Sequence, residues 1–324
     1  MAIPQTISEA LDNLYTTTWK NRKNDVADNI FDATPFWAYL RDKGKMEKQI
    51  GGRMIEQPII YAKNEGVKFI GRGGTVSLND YEFLTDALYD WRYLVAPLVR
   101  FGTDDQKNRG KAKIMSLMNQ KMDNAQMSLE DTLESTLTAG AATGDEFDGL
   151  QHLIQDDPTV SSSPGGINQS THSWWRNKTK NMTGVSFGTN GVAEMVTMLN
   201  NCGQNKKSDR PDLILSDQTT YERYEEEAYG KLDLQDTRMA ELGFDSQKFK
   251  GTTWIWSPTL SQRMYFMNTN YLKFIYDPGL YFDMTEWKPI PEQVNDKAAQ
   301  IVTACGLTTN RRRVQGVFYN LDTA

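Results

Sequence analysis

The sequence predicts an α+β protein with a thin, extended body. Three observations support this class: a long β excursion with a glycine-rich centre, one unusually long helix, and a C-terminal third rich in β-forming residues. Aromatic residues make up 11% of the 324 residues, which is enough to build a core. The mean hydropathy of −0.61 indicates a large surface for the volume enclosed.

Composition excludes several classes of protein. No apolar run is long enough to cross a membrane, so we expect no membrane association. The net charge of −6 argues against a dedicated nucleic-acid binder, which would carry a strongly basic stripe. Cys202 and Cys305 form no disulfide framework and fit a reducing compartment. The start of the chain has no secretory signal, so we expect synthesis in a cytoplasm.

Residues 1–45 predict an N-terminal arm. They mix polar and aromatic residues, among them Trp19 and Trp37, without long periodicity, and Pro35 interrupts them. Such a segment packs on another surface. The alternative is an ordinary N-terminal helical segment.

Residues 46–101 predict an extended loop. Residues 54–61 form a strand that Pro58 restricts to an edge, and residues 90–99 form the return strand. Gly71 to Gly74 mark a flexible tip between them. A two-stranded ribbon alone is marginally stable in water, so we expect it to pack on another subunit. The alternative is an internal hairpin of a monomer.

Residues 103–138 predict one long helix. Apolar residues recur at helical spacing from Ile114 to Thr136, and Gly140 ends the pattern. A helix of this length is typical of a structural spine. Beyond it, residues 140–190 read as loops, residues 191–250 as an α/β unit and residues 251–321 as mostly β-structure.

The sequence gives almost no sign of catalysis. The only histidines, His152 and His172, lie in loop-rich segments, and no Gly-x-Ser-x-Gly motif occurs. The glycine cluster at 71–74 lacks the third glycine of a dinucleotide site, and no phosphate-binding loop is present. We therefore expect no catalytic residue, no cofactor and no metal. The run Arg311–Arg313 is as suited to subunit salt bridges as to an anion.

The order of these parts resembles the major capsid proteins of tailed bacteriophages with the HK97 fold. The spine-like helix leads into a small-residue loop that ends in Gly149-Leu150, as in that family. Four further segments carry the resemblance in the same order: Trp174–Lys178, Pro211–Tyr221, Asn268–Phe274 and Asn310–Val317.

The resemblance implies a structural protein that is not an enzyme. Five parts follow from it: an N-terminal arm at 1–45, an extended loop at 46–101, a peripheral domain with the spine helix at 102–153, an axial domain at 154–286 and peripheral return strands at 287–324. Pentamers and hexamers of such a chain tile an icosahedral head around double-stranded DNA, which they contact without sequence specificity. The expected location is the virion, after synthesis in a bacterial host.

The resemblance also implies partners. The extended loop begins near residue 46, which leaves no room for an N-terminal scaffolding region, so we expect a separate scaffolding protein. A portal and a decoration protein are further expected partners. Some relatives crosslink subunits through a Lys–Asn bond. Lys63 and Lys68 lie in the loop, but no partner asparagine or catalytic glutamate can be matched, so that activity is not carried over.

Charged and aromatic residues supply the candidate subunit contacts. They are Arg53, Lys63, Lys68, Arg72, Trp91, Trp19, Trp37, Glu225, Glu226, Arg311 and Arg312. We expect the cations of the extended loop to meet an acidic neighbour such as the helix at 222–227. Three alternatives remain open: an encapsulin-like compartment that holds an enzyme cargo, an unrelated enzyme, and a monomeric binding module.

Overall fold

A computed structural model describes six stretches of the chain. They are residues 35–75, 79–102, 111–204, 206–228, 247–293 and 295–321. Trp19, most of the predicted arm and the predicted start of the long helix lie outside the described residues.

The described part of the chain contains five α-helices and fourteen strands. The helices are α1 (Pro35–Asp42), α2 (Lys111–Thr138), α3 (Leu150–Leu153), α4 (Val192–Gly203) and α5 (Gln218–Ala228). The strands are β1 (Met46–Lys48), β2 (Ile55–Ile60), β3 (Leu84–Tyr89), β4 (Arg92–Arg100), β5 (Lys178–Asn181), β6 (Leu213–Ser216), β7 (Gln247–Phe249), β8 (Thr252–Trp256), β9 (Arg263–Met267), β10 (Leu272–Tyr276), β11 (Asp283–Met284), β12 (Lys288–Pro289), β13 (Lys297–Thr309) and β14 (Gly316–Tyr319).

Sheet one forms around β13, the longest described strand. β13 pairs antiparallel with β4 along nine residues and with β10, β11 and β12, while β1 adds parallel to β10. Residues 303–309 of β13 are all buried. β13 is thus the central strand of sheet one, with which four other strands pair.

Sheet two separates two hydrophobic cores. Its strand order is β5-β14-β9-β6-β8-β7. Alternate side chains of a strand point to opposite faces, so Leu213 and Leu215 of β6 lie in core one, with sheet one and α2. Ile214, between them, lies in core two with α4 and α5. Both faces are apolar, which explains why all four residues of β6 are buried.

The long helix confirms the predicted periodicity. α2 runs through 28 residues, about 42 Å at 1.5 Å per residue. Its buried stripe, which packs into core one, consists of Met122, Ala125, Leu129, Leu133 and Leu137. Within the described residues, no helix is long and apolar enough to span a membrane.

The extended loop differs from its prediction in its return strand. β2 pairs with β3, so that Ile55 opposes Tyr89 and Ile60 opposes Leu84. The segment predicted to return, residues 90–99, forms β4 and pairs with β13 in sheet one. Only Asp90 and Trp91 separate these two strands, which nevertheless belong to different sheets. The hairpin therefore comprises residues 55–89.

Two late strands pair in different sheets. β10, expected in the axial domain, pairs with β1 and β13 in sheet one. β14, expected as a peripheral strand with β13, pairs with β5 and β9 in sheet two. From β9 to β14 the chain crosses between the sheets twice, once before β10 and once after β13. The strands β13 and β14, both within residues 287–324, therefore belong to different sheets.

Candidate subunit-interface surfaces

The paired part of the hairpin is fastened to the body of the chain at both of its ends. The ring of Tyr61 stacks on Trp174, with centroids 5.6 Å apart and an interplanar angle of 27°. On β3, Ala87 and Tyr89 lie against Gly165, where an added Cβ would come within 2.9 Å of the phenol oxygen. Gly165 also has φ = 64°, a conformation that favours glycine. These contacts fix the direction in which the hairpin leaves the body.

The outer face of the hairpin is apolar and exposed. Ile60 and Leu84 form a cross-strand pair, with 71% and 56% of their surface exposed. Towards the tip, Val67 is 83% exposed and Phe69 is fully exposed. Exposed apolar patches mark surfaces that bind a partner. The hairpin projects these side chains away from both cores, so no described part of this chain covers them.

A second apolar surface lies where β4 crosses α2. A groove of about 630 Å³ lies between the two elements. Pro97 and Val99 of β4, Phe101 just after β4, and Ala125 of α2 line it. Lys121 donates a hydrogen bond from Nζ to the Val99 carbonyl oxygen at 2.9 Å and holds helix and strand together. Three exposed side chains extend this surface: Tyr93, Val95 and Met127.

The described residues contain no cluster suited to metal chemistry or thiol chemistry. No group of three or more His, Cys, Asp or Glu side chains could hold a metal ion among the residues that the structure describes. Cys202 and Cys305 are buried and free, and burial raises the pKa of both thiols to about 12. Both thiols therefore stay protonated and unreactive at neutral pH. His152 is half-buried, and burial lowers its pKa although a carboxylate oxygen of Asp148 lies 3.8 Å from the ring.

Comparison with solved structures identifies the architecture. The capsid protein of cyanophage A-1(L) superposes with a TM-score of 0.63 and 16% identity, covering 86% of this chain and 90% of that one. The capsid protein of an empty GTA particle gives a TM-score of 0.58 and 9% identity, covering 87% and 96%. The chain has the HK97 capsid fold.

The same fold also occurs in a compartment protein. The SrpI encapsulin of Synechococcus elongatus PCC 7942 gives a TM-score of 0.50 and 11% identity, covering 86% of this chain and 85% of that one. No protein-family model matches the sequence, and no curated protein sequence does. The HK97 fold is therefore established by structural similarity. At these sequence identities the similarity shows the fold and nothing further.

Most of the predicted interface residues are accessible on this HK97 fold. Arg53, Lys63, Lys68 and Arg72 are exposed on or beside the hairpin, and Glu225 and Glu226 are exposed on α5. Trp91 is half-buried at the turn between β3 and β4. Arg311 is half-buried and binds Asp209 with two hydrogen bonds of 2.8 Å.

Two predicted interface residues are wrong because they are wholly buried. Trp37 packs edge-on against Phe274, with ring centroids 4.1 Å apart, inside core one. Arg312 is fully buried, and burial lowers the pKa of its guanidinium to about 10. Neither side chain reaches the surface, so neither can contact a second subunit.

The Arg312 guanidinium connects four acceptors from three segments. It donates to the carbonyl oxygens of Leu153 at 2.6 Å and Trp175 at 3.1 Å, and to the amide oxygens of Gln169 at 3.0 Å and Asn177 at 3.1 Å. All four are neutral, so the charge is solvated by dipoles. The three consecutive arginines of the sequence do not reveal which of them is buried.

Sequence analysis missed the surface formed by residues 206–210. Lys206, Lys207 and Arg210 are exposed. Arg311 binds Asp209 and so holds this segment beside the segment that contains Arg313. The two stretches are about a hundred residues apart in sequence, so their proximity could not be derived from spacing.

Proposed function

We propose that this chain is the major capsid protein of a tailed bacteriophage, a structural subunit that assembles into pentamers and hexamers of an icosahedral head. The observation that carries the proposal is the hairpin, whose exposed apolar side chains project from a body with the HK97 capsid fold. A two-stranded ribbon with exposed Val67 and Phe69 needs a covering surface. A neighbouring subunit supplies that surface in a shell.

The apolar groove between β4 and α2 is the proposed receiving surface for the neighbour's hairpin. It is open and apolar, with Phe101 and Met127 exposed at its margins. The arm at 1–45 and the cations Arg53, Lys63, Lys68 and Arg72 are proposed as further contacts between subunits. Such contacts at several separate surfaces would let one subunit touch several neighbours.

The shell is proposed to enclose double-stranded DNA in the virion, after synthesis in the cytoplasm of a bacterial host. A net charge of −6 limits adhesion of the genome to the wall and suits DNA contact without sequence specificity. A separate scaffolding protein, a portal and a decoration protein are the proposed protein partners. The role is structural rather than catalytic.

An encapsulin-like shell with an enzyme cargo is the second candidate, because the SrpI encapsulin shares the fold. The purified chain, produced alone and with the scaffolding protein of its phage, tests both candidates by negative-stain electron microscopy. Closed shells, tubes or ring-shaped capsomers support a shell subunit. Shells that package DNA in the phage and show no enzyme cargo favour the capsid. A monodisperse monomer under both conditions contradicts the proposal.

A further inference from the structure

A basic patch lies beside the C-terminal end of α4. It consists of Lys206, Lys207, Arg210, Arg311 and Arg313. Arg313 donates a hydrogen bond to the side chain of Gln204, and the stem of Arg210 lies against Gly203. These contacts, with the Arg311–Asp209 pair, hold two distant segments in one surface.

Among the residues that the structure describes, most of the charge in the basic patch has no acidic counterpart. Asp209 is nearly buried and is occupied by Arg311. The other four cations of the patch form no ion pair with any residue that the structure describes: Lys206, Lys207, Arg210 and Arg313. In a chain with a net charge of −6, such a concentration of unpaired positive charge points to an acidic partner.

An acidic face lies on α5. Glu222, Glu225 and Glu226 are exposed and are three and four residues apart, which places them on one side of the helix. None of the three forms an ion pair within the described part of the chain. Like charges at this spacing destabilise a helix by a few tenths of a kcal/mol. A cationic surface outside the helix would remove that penalty.

The basic patch and the acidic face belong to different halves of sheet two. α4 packs over β14, where Met198 and Cys202 cover Gly316. α5 packs over β8, where the Tyr224 ring lies 4.5 Å from the Trp254 ring. Three strand steps separate β14 from β8, about 15 Å. The basic patch and the acidic face are thus two separate surfaces of the chain.

We infer that the acidic face of α5 in one subunit docks on the basic patch of the next copy of this chain. This inference rests on the proposed shell function and names one contact within it. A head-to-tail contact between two different surfaces repeats from copy to copy, and it gives a ring, the arrangement of a pentamer or a hexamer, when the rotation between neighbours closes. Charge complementarity sets the orientation and register of neighbours more than their affinity.

Charge reversal tests this contact. E225K/E226K reverses the acidic face, K206E/R210E reverses the basic patch, and a third chain carries all four substitutions. We expect each reversal alone to lower the assembled fraction at least tenfold in sedimentation velocity, because like charges then face each other. The chain with all four substitutions should recover assembly, because opposite charges face again. Thermal unfolding of each variant by circular dichroism checks that it folds.

K68E/R72E is the matched control, since it reverses two exposed cations on the hairpin instead of the patch. Combined with E225K/E226K, it should give no recovery. Recovery with this control would assign the hairpin as the partner of α5 and overturn the inference. Normal assembly of E225K/E226K or of K206E/R210E, each folded, would also overturn the inference. The same holds if the chain with all four substitutions does not recover assembly. In each of these outcomes the unchanged chain still assembles, and only the proposed contact is contradicted. If the unchanged chain itself does not assemble, the proposed shell function is contradicted.

Discussion

Ser257 donates a hydrogen bond of 3.1 Å to Oε1 of Glu134, and both side chains are buried. Glu134 lies on α2, and backbone N–H groups of Trp37 and Phe36 on α1 also interact with its carboxylate. Burial raises the pKa of Glu134 from 4.5 to about 7, and these hydrogen bonds oppose the increase only in part. One acid thus joins the spine helix, α1 and the turn after β8.

This carboxyl makes stability depend on pH. The unfolded carboxyl releases its proton near pH 4.5 and the folded one near pH 7. Between these values the folded chain binds more protons, so the free energy of unfolding falls as the pH rises. A shift of this size corresponds to a loss on the order of 3 kcal/mol. The E134Q chain should lose less stability over this range, and urea unfolding at pH 5 and pH 8 measures the difference. Equal losses in both chains would contradict the assignment.

Arg312 should be far more sensitive to substitution than its neighbour Arg313. A lysine at position 312 cannot reach all four acceptors, so R312K leaves buried amide and carbonyl oxygens without donors. We expect a loss of about 2–4 kcal/mol in the free energy of unfolding. R313K, at an exposed position, should change it by less than about 0.5 kcal/mol. Equal effects on urea unfolding would show that Arg312 does not connect the segments.

Removal of one phenol oxygen should loosen the base of the hairpin. Tyr89 Oη donates to the Thr309 carbonyl oxygen at 2.7 Å and accepts from the Thr309 backbone N–H at 3.3 Å, all in buried surroundings. Y89F leaves both backbone groups without this partner, which costs about 1–3 kcal/mol. Hydrogen exchange should show faster exchange at the Thr309 amide. Y93F, at an exposed position on β4, is the control, and unchanged exchange in Y89F would contradict the role of Tyr89.

Much of this fold is predictable from sequence because its signals are local. The stripe from Met122 to Leu137 identifies α2, and a continuous apolar run identifies β6. The pairing of strands is not local. β4 is the more apolar run and so attracts the prediction of the return strand, whereas β3 contains Thr85 and Asp86. Nothing local shows which of the two strands pairs with β2.

The candidate interface surfaces can likewise be predicted from the sequence only where their signals are local. The exposed cations of the hairpin are recognisable because glycines surround them, whereas the burial of Arg312 depends on acceptors at positions 153, 169, 175 and 177. The basic patch likewise joins residues 206–210 to residues 311–313 only in three dimensions. Long-range contacts of this kind carry no periodic signature.

The exposed tip of the hairpin gives the most direct test of the shell proposal. Sedimentation velocity and electron microscopy would compare the unchanged chain with V67S/F69S, each with the scaffolding protein present. Both side chains are exposed, so the variant should unfold at the same temperature as the unchanged chain. We expect rings or shells from the unchanged chain and a marked loss of them in V67S/F69S. A monomeric unchanged chain, or normal shells from the variant, would contradict it.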